Sequence, residues 1–315
     1  MAENILQASP LPQSLVVRLR QHFPLVDMRE LAPLALASLA DEFTVLLVDG
    51  ETAVSAAQIT ALPQLKLIAV FGVGYERVDV LAARAKGVRV THTPGVLTDD
   101  VADLAIGLLL ATARQIGGAQ RFIERGGWLQ GSYPWTRKVS GARLGILGLG
   151  RIGRAIAQRA AAFNMAVSYH SRQQAADFTG RFFATPLALA DHCDFLLVCT
   201  NGGAQTRALV DARVLAALGC DGILINIARG SVVDEAALVT AIDRGTIAGA
   251  GLDVFECEPQ VPAALMGRDN VVLTPHMASA THCTRRLMVD LVFDNIAAHF
   301  AGRPLPTPVV ESPNA

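Results

Sequence analysis

Short runs made almost wholly of Val, Ile and Leu alternate along this chain with longer Ala- and Leu-rich stretches. That is the pattern of strands buried on both faces and joined by helices, and so of parallel sheets. A first series of runs is "NILQAS" at 4–9, "TVLLVD" at 44–49, "LKLIAVF" at 65–71 and "VRVTHT" at 88–93. A second starts with "LGILGLG" at 144–150 and continues through "AVSYHS" (166–171), "DFLLVCT" (194–200), "GILINIA" (222–228), "AGAGLDVF" (248–255) and "VVLTP" (271–275). The two series predict two α/β domains. Residues 99–115, "DDVADLAIGLLLATARQ", have helical spacing without a breaker and are expected to form one long helix leading from the first series to the second. Residues 285–302, "RRLMVDLVFDNIAAHFAG", read as a terminal helix that returns to the first domain.

Composition narrows the class. A chain of 315 residues, 51% of them apolar, is long enough for two buried cores. A formal net charge of -1, with no long run of like charges, argues against nucleic acid as a partner. The five cysteines (Cys193, Cys199, Cys220, Cys257, Cys283) are never spaced as CxxC, which indicates neither a disulfide framework nor a metal knuckle. The start "AENILQASPLPQSL" lacks the basic and apolar parts of a secretory leader, and the longest uncharged apolar stretch, 104–113, is too short to span a bilayer. The expectation is a soluble cytoplasmic protein that binds neither a membrane nor a metal.

The chemistry starts in the middle of the chain. Gly148, Gly150 and Gly153 form GxGxxG after one predicted strand (144–148) and before an Ala-rich helix (151–163). In that setting the first glycine permits a tight turn, the second lets backbone approach a pyrophosphate, and the third allows the helix to pack closely. Leu149, Arg151 and Ile152 within the fingerprint, and Thr200 and Ile227 after later strands, complete the candidate contacts of that kind. Where an NAD site normally carries a carboxylate for the ribose hydroxyls, the next strand ends in His170, Ser171 and Arg172. Arg172 can make a forked, charge-assisted contact with a 2'-phosphate and Ser171 can donate a hydrogen bond, which selects NADP(H) over NAD(H). The alternative is a solvated arginine in a loop.

Three more strand ends carry reactive groups: Arg229 in "INIARGSVVDEAAL", Asp253 and Glu258 in "GLDVFECEP", and His276 in "LTPHMASAT". Reduction of a 2-keto acid needs a cation to hold the carboxylate and polarise the carbonyl, and an acid to protonate the oxygen as hydride arrives. Arg229 suits the first role. His276 suits the second, with Glu258 placed to orient the ring and favour its charged form.

With those residues, the motifs "FGVGYERVDV", "TPGVLTDDVADLAIGLLLA", "KVSGARLGILGLGRIGRAIAQR", "INIARGSVVDEAALVTAI", "GAGLDVFECEP" and "LTPHMASATHCTRRLM" follow one another in order. From about residue 40 onward the chain resembles the D-isomer-specific 2-hydroxyacid dehydrogenases. Within them it is most similar to NADPH-dependent glyoxylate/hydroxypyruvate reductases and plant-type hydroxyphenylpyruvate reductases. The resemblance implies two doubly wound parallel-sheet domains, with a Rossmann nucleotide domain (99–285) inserted in a flavodoxin-like substrate domain (1–98 and 286–315) and catalysis in the cleft as they close. It implies that Arg229 binds the substrate carboxylate and carbonyl, that His276 is the acid/base, and that Glu258 is its partner. It further implies that the backbone of Val73 and Gly74 holds the substrate carboxylate and that Asp253 contacts the nicotinamide carboxamide. Taken alone, Asp253 could equally cap a helix.

The interval 117–141 matches an arm that packs against a second subunit, so a homodimer is expected. Its Trp135 either reaches the neighbouring active site or is an aromatic buried at the interface. The loop "CTNGGAQTRALVD" (199–211) is glycine-rich where relatives often carry a proline and a glutamate, and His282 is read as structural. The expected activity is NADPH-dependent reduction of glyoxylate or hydroxypyruvate. An aromatic or longer keto acid of the hydroxyphenylpyruvate type is the alternative substrate, and a nucleotide-sensing, corepressor-like binding protein is a third reading.

Overall fold

The computed structural model describes residues 4–31 and 38–312, so residues 1–3, 32–37 and 313–315 of the expected first domain lie outside the described residues. The chain divides into two compact units, one made of the stretch up to Leu97 together with Thr281 onward, the other of Thr98–Ala280.

The first unit contains β1 (Asn4–Gln7), α1 (Gln13–Arg20), β2 (Leu25–Asp27), β3 (Phe43–Asp49), α2 (Ala56–Thr60), β4 (Leu67–Phe71), α3 (Val80–Ala85) and β5 (Arg89–Thr91). Its strands form one sheet in the order β2-β1-β3-β4-β5, all neighbours parallel. This is the flavodoxin-like order, in which the strand ends at the β1/β3 reversal open a crevice. Val45, Leu47, Leu67 and Ile68 are wholly buried, as strands covered on both faces require. The sequence pattern missed β2, which is three residues long and only partly buried.

The terminal helix, His282–Phe300, belongs to this unit and starts three residues before the 285 expected, because the Thr281 hydroxyl accepts from the Thr284 N–H (3.2 Å) and caps it. Beyond it the chain runs antiparallel beside β5. Thr91 bridges Pro308, the Val309 N–H donates to the Val90 carbonyl, and the Ser312 hydroxyl both accepts from the Val90 N–H and donates to the Val90 carbonyl.

One ionisable side chain in this unit predicts a pH response. An Arg89 guanidinium N–H donates to His299 Nδ1 (2.7 Å), so the ring must be neutral to accept. Burial, and then the Arg89 charge, push His299 down to about 4 from an ordinary 6.5. Below about pH 6.5 the unfolded chain takes up a proton that the folded chain refuses. Stability is therefore complete above that pH and falls by roughly 1–2 kcal/mol on the way to the folded value. Urea midpoints compared at about pH 7.5 and about pH 5 should show a shallower loss in His299→Gln than in the parent, and equal losses would remove this account.

The second unit contains α4 (Thr98–Ala113), α5 (Ile116–Glu124), β6 (Arg143–Leu147), α6 (Arg151–Ala161), β7 (Ala166–His170), β8 (Arg181–Phe182), α7 (Pro186–His192), β9 (Phe195–Val198), α8 (Ala212–Leu218), β10 (Ile223–Asn226), α9 (Glu235–Asp243), β11 (Gly249–Leu252) and β12 (Val271–Leu273). The terminal helix is thus α10. The sheet order is β12-β11-β10-β9-β6-β7-β8, parallel throughout. Counting from β6, this is the Rossmann order, with its reversal between β6 and β9.

The helix expected over 99–115 is α4, one residue earlier at its start and two shorter at its end, because Gln115 takes a left-handed backbone (φ 49) that separates it from α5. Among the described residues no single helix is long and apolar enough to cross a membrane. In the expected dimerisation arm, Ile123, Trp128, Leu129 and Trp135 are all exposed, Trp135 completely so, and Ile116 just before it is exposed as well.

Candidate active site

The loop after β6 shows why its glycines are there. Gly148 has φ 107, and a Cβ on it would lie 2.8 Å from the Thr200 backbone. A Cβ on Gly153 would lie 2.2 Å from the Gly148 carbonyl oxygen. Gly148 therefore lets the ends of β6 and β9 meet, and Gly153 lets α6 lie on its own approach loop. Gly150 differs from both. Its φ of -82 suits any residue, and a Cβ there would meet nothing of the protein within 4 Å. The missing side chain makes room for something that is not protein, at the N-cap of a helix whose first turn has neither a side-chain cap nor an acid. Unfilled first-turn N–H groups and open space together fit a dinucleotide pyrophosphate.

Leu149, Arg151 and Ile152 reach solvent on this loop, Thr200 is partly exposed just beyond β9, and Ile227 after β10 is nearly buried. The glycine-rich loop at 199–211 is tied down by the Thr206 hydroxyl, which donates to the Asn201 carbonyl (2.8 Å), and by an Arg207–Glu256 ion pair (2.5 Å). Cys199 is partly buried; desolvation pushes its thiol up to about 12, and it donates to the Gly148 carbonyl (2.9 Å).

At the end of β7, the His170 ring bonds the Phe183 carbonyl through Nδ1 (2.9 Å). The Ser171 hydroxyl donates to the Gln173 carbonyl (2.5 Å), so it must turn before it can donate to a phosphate. Arg172 is exposed, and among the described residues its guanidinium has no acidic partner.

His276 and Glu258 meet within this unit. His276 Nδ1 lies 2.7 Å from Glu258 Oε2, and Glu258 Oε1 accepts the Phe255 N–H (2.9 Å). Burial raises the Glu258 carboxyl, but the hydrogen bond and charge of His276, the Phe255 N–H and the Arg229 charge outweigh it and hold its pKa below the ordinary carboxylate value. The carboxylate thus stays ionised and can hold the ring by accepting a hydrogen bond from Nδ1.

His276 itself stands in a left-handed backbone (φ 49), uncommon for a residue with a side chain. Asp253 holds it there. This carboxylate is fully buried and accepts from the Thr274 hydroxyl (2.6 Å), the Met277 N–H (2.9 Å) and the Ala278 N–H (3.0 Å), while its own carbonyl accepts the His276 N–H (2.8 Å). Asp253, expected at the nicotinamide carboxamide, is buried here with its oxygens serving the turn that carries His276.

Arg229 follows β10, where the Asn226 side chain accepts the Ala228 N–H (3.1 Å) and donates to the Arg229 carbonyl (3.1 Å). The sequence reading overlooked Gly230. A Cβ there would lie 1.9 Å from the Phe255 carbonyl carbon and 2.3 Å from the Glu256 nitrogen, so only glycine lets the Arg229 turn touch the backbone leading to Glu258.

In the first unit, Val73 and Gly74 follow β4. The His92 ring bonds the Val73 carbonyl through Nδ1 (2.9 Å), the Thr93 N–H donates to the Gly72 carbonyl (2.8 Å), and the Tyr75 hydroxyl donates to Glu311 (3.2 Å). Among the described residues, the Val73 and Gly74 N–H groups have no acceptor. Also overlooked was Arg285, in the first turn of α10, whose guanidinium carbon lies 5.6 Å from the centre of the Phe71 ring. Burial, with no acid beside it, pulls its pKa below the ordinary arginine value. Among the described residues Arg285 has no acidic partner, and a half-buried cation at the positive end of a helix is costly in the absence of an anion. His282, at the helix start, is exposed and outside this arrangement.

Residues 106–278 match the family described as "D-isomer specific 2-hydroxyacid dehydrogenase, NAD binding domain". A hydroxyphenylpyruvate reductase from Plectranthus scutellarioides is 47% identical over 87% of this chain and 88% of its own. A glyoxylate/hydroxypyruvate reductase from Arabidopsis thaliana is 49% identical over 80% of each chain. Among solved structures, an NADPH-dependent glyoxylate/hydroxypyruvate reductase from Sinorhizobium meliloti, in complex with NADP and malonate, superposes with a TM-score of 0.91 at 42% identity, covering 98% of this chain and 97% of its own. The chain belongs to the D-isomer specific 2-hydroxyacid dehydrogenase family, whose NAD-binding domain its second unit carries.

Proposed function

We propose that this protein reduces a small 2-keto acid, glyoxylate or hydroxypyruvate, to the 2-hydroxy acid with NADPH and one proton. The observation that carries the reading is the His276–Glu258 pair (2.7 Å) with the Arg229 charge acting on the same carboxylate, at the strand ends of a dinucleotide-binding sheet. The nicotinamide, when bound, supplies the hydride. His276 gives a proton from Nε2 to the carbonyl oxygen, and Glu258 stabilises the ring in the orientation that does so. Arg229 binds the carboxylate and polarises the carbonyl. The N–H groups of Val73 and Gly74 take the substrate carboxylate, and Arg285 adds a cation beside that loop. Gly148 to Gly153, Thr200 and Ile227 hold the dinucleotide, and Arg172, with Ser171 after its hydroxyl turns, binds the 2'-phosphate.

A homodimer fits the row of exposed apolar side chains from Ile116 to Trp135. A reducing, cytoplasmic compartment fits five cysteines that are all free. The likeness to a hydroxyphenylpyruvate reductase supports an aromatic keto acid as the second substrate reading.

Initial rates with NADPH and NADH, over a panel from glyoxylate to hydroxyphenylpyruvate, test the assignment. The expected result is a clear preference for NADPH and highest kcat/KM on the small acids. In the same assay Arg285→Ala should raise KM for the keto acid about tenfold with little change in KM for NADPH. Preference for NADH would defeat the role of Arg172, and turnover of none of the acids would defeat the reading as a whole.

A further inference from the structure

The loop that carries Arg172 is held in place from beneath. Tyr169, in β7, is completely buried, yet its hydroxyl emerges into the loop and closes on a single residue there: it accepts from the Ala175 N–H (2.9 Å) and donates to the Ala175 carbonyl (3.4 Å). One phenol thus satisfies both backbone groups at the middle of a segment that has no regular structure of its own. The ring of Phe178 stands edge-on to Tyr169 (5.3 Å, 87°), and Arg154 of α6 lies over Phe178 (5.7 Å) while pairing with Asp177 (2.8 Å). Gly180 makes this possible, since a Cβ there would come within 2.4 Å of the Phe178 ring. Ala175, Asp177 and Phe178 are therefore each anchored, and Arg172 is the exposed side chain that the anchored loop presents.

We propose that Tyr169 is a positioning residue for coenzyme choice: its hydroxyl preorganises the 171–178 loop so that Arg172 meets the 2'-phosphate without first ordering the backbone. The inference rests on the proposal that Arg172 selects NADPH. Ordering a loaded loop at the moment of binding weakens binding, and only a ligand that uses the loop bears that cost. NADH has no 2'-phosphate and does not use it. Removing the hydroxyl therefore weakens NADPH selectively, whereas simple loss of fold would weaken both coenzymes together.

The test is steady-state kinetics of Tyr169→Phe with both coenzymes, beside Arg172→Ala and Arg154→Ala, each with a thermal melt. In Tyr169→Phe, KM for NADPH should rise about tenfold, with KM for NADH and kcat with either coenzyme close to parent values. Arg154→Ala removes the outer tie from an exposed position, and should move KM for NADPH in the same direction by a smaller factor. Combining Tyr169→Phe with Arg172→Ala should add nothing to Arg172→Ala alone, because the loop then has no guanidinium to present. If Arg172→Ala abolishes the NADPH preference while Tyr169→Phe leaves it intact, the positioning role is wrong and the coenzyme assignment survives. An equal rise in both KM values in Tyr169→Phe also overturns the role. If the parent enzyme shows no NADPH preference, the coenzyme assignment fails, and the inference with it.

Discussion

Replacing His276 with alanine should lower kcat for keto acid reduction about 10³-fold while leaving KM for NADPH within about twofold of the parent. The size follows from removing the proton donor itself. The coenzyme site, formed by the Gly148–Gly153 loop at the other side of the sheet reversal, keeps its geometry. Glu258→Gln should cost less, about 10- to 100-fold, because the amide can still accept from Nδ1 but no longer stabilises a charged ring. The parent also makes a pH prediction through this carboxylate. The Glu258 pKa is held below its ordinary value of 4.5, so the interaction is complete above that value and is lost only as pH falls below it. The acid limb of the kcat profile caused by Glu258 should therefore lie below the ordinary carboxylate range. Retention of more than about a tenth of parental kcat in His276→Ala would give the proton to another group.

The second large effect is expected at a residue with no side chain. Gly230→Ala places a methyl group 1.9 Å from the Phe255 carbonyl carbon, where backbone rather than a flexible side-chain tip must move. The turn bearing Arg229 and the segment leading to Glu258 are forced apart. A displacement of that kind costs on the order of 10² or more in kcat/KM, and overpacking of buried backbone costs roughly 3 kcal/mol of stability. Gly150→Ala is the informative contrast: its methyl meets no protein atom, so the melting temperature should hold while KM for NADPH rises. Near-parental kcat/KM in Gly230→Ala would mean that the two loops do not need their contact.

Much of this was legible in the sequence, for physical reasons that also explain the gaps. Strands such as Phe43–Asp49 and Leu67–Phe71 are buried along their length and read as unbroken apolar runs. The Leu25–Asp27 and Arg181–Phe182 strands are too short for any period to show. The break at Gln115 depends on a backbone conformation that glutamine does not advertise.

At the candidate site, the sequence placed Arg229, Glu258 and His276 after successive strands, and the structure pairs His276 with Glu258 (2.7 Å) within the influence of the Arg229 charge. Gly230 and Tyr169 escaped, and the buried surroundings of Asp253 were not foreseen, because each acts through contacts between distant segments: a close backbone approach, a phenol under a loop, a carboxylate with three donors. Glycine after Arg229 was a signal that could have been weighed, since nothing in the local turn explains it. Arg285 was hidden by its place in a helical run, and only its burial, with no acidic partner among the described residues, singles it out.

The tail beside β5 bears on how the molecule stays in solution. A border strand with spare amide and carbonyl groups invites a strand from another molecule, and Val309 and Ser312 already occupy those groups at Val90. Protection of that border from aggregation is thus assigned to residues more than two hundred positions away in sequence, beyond the terminal helix rather than in the sheet itself.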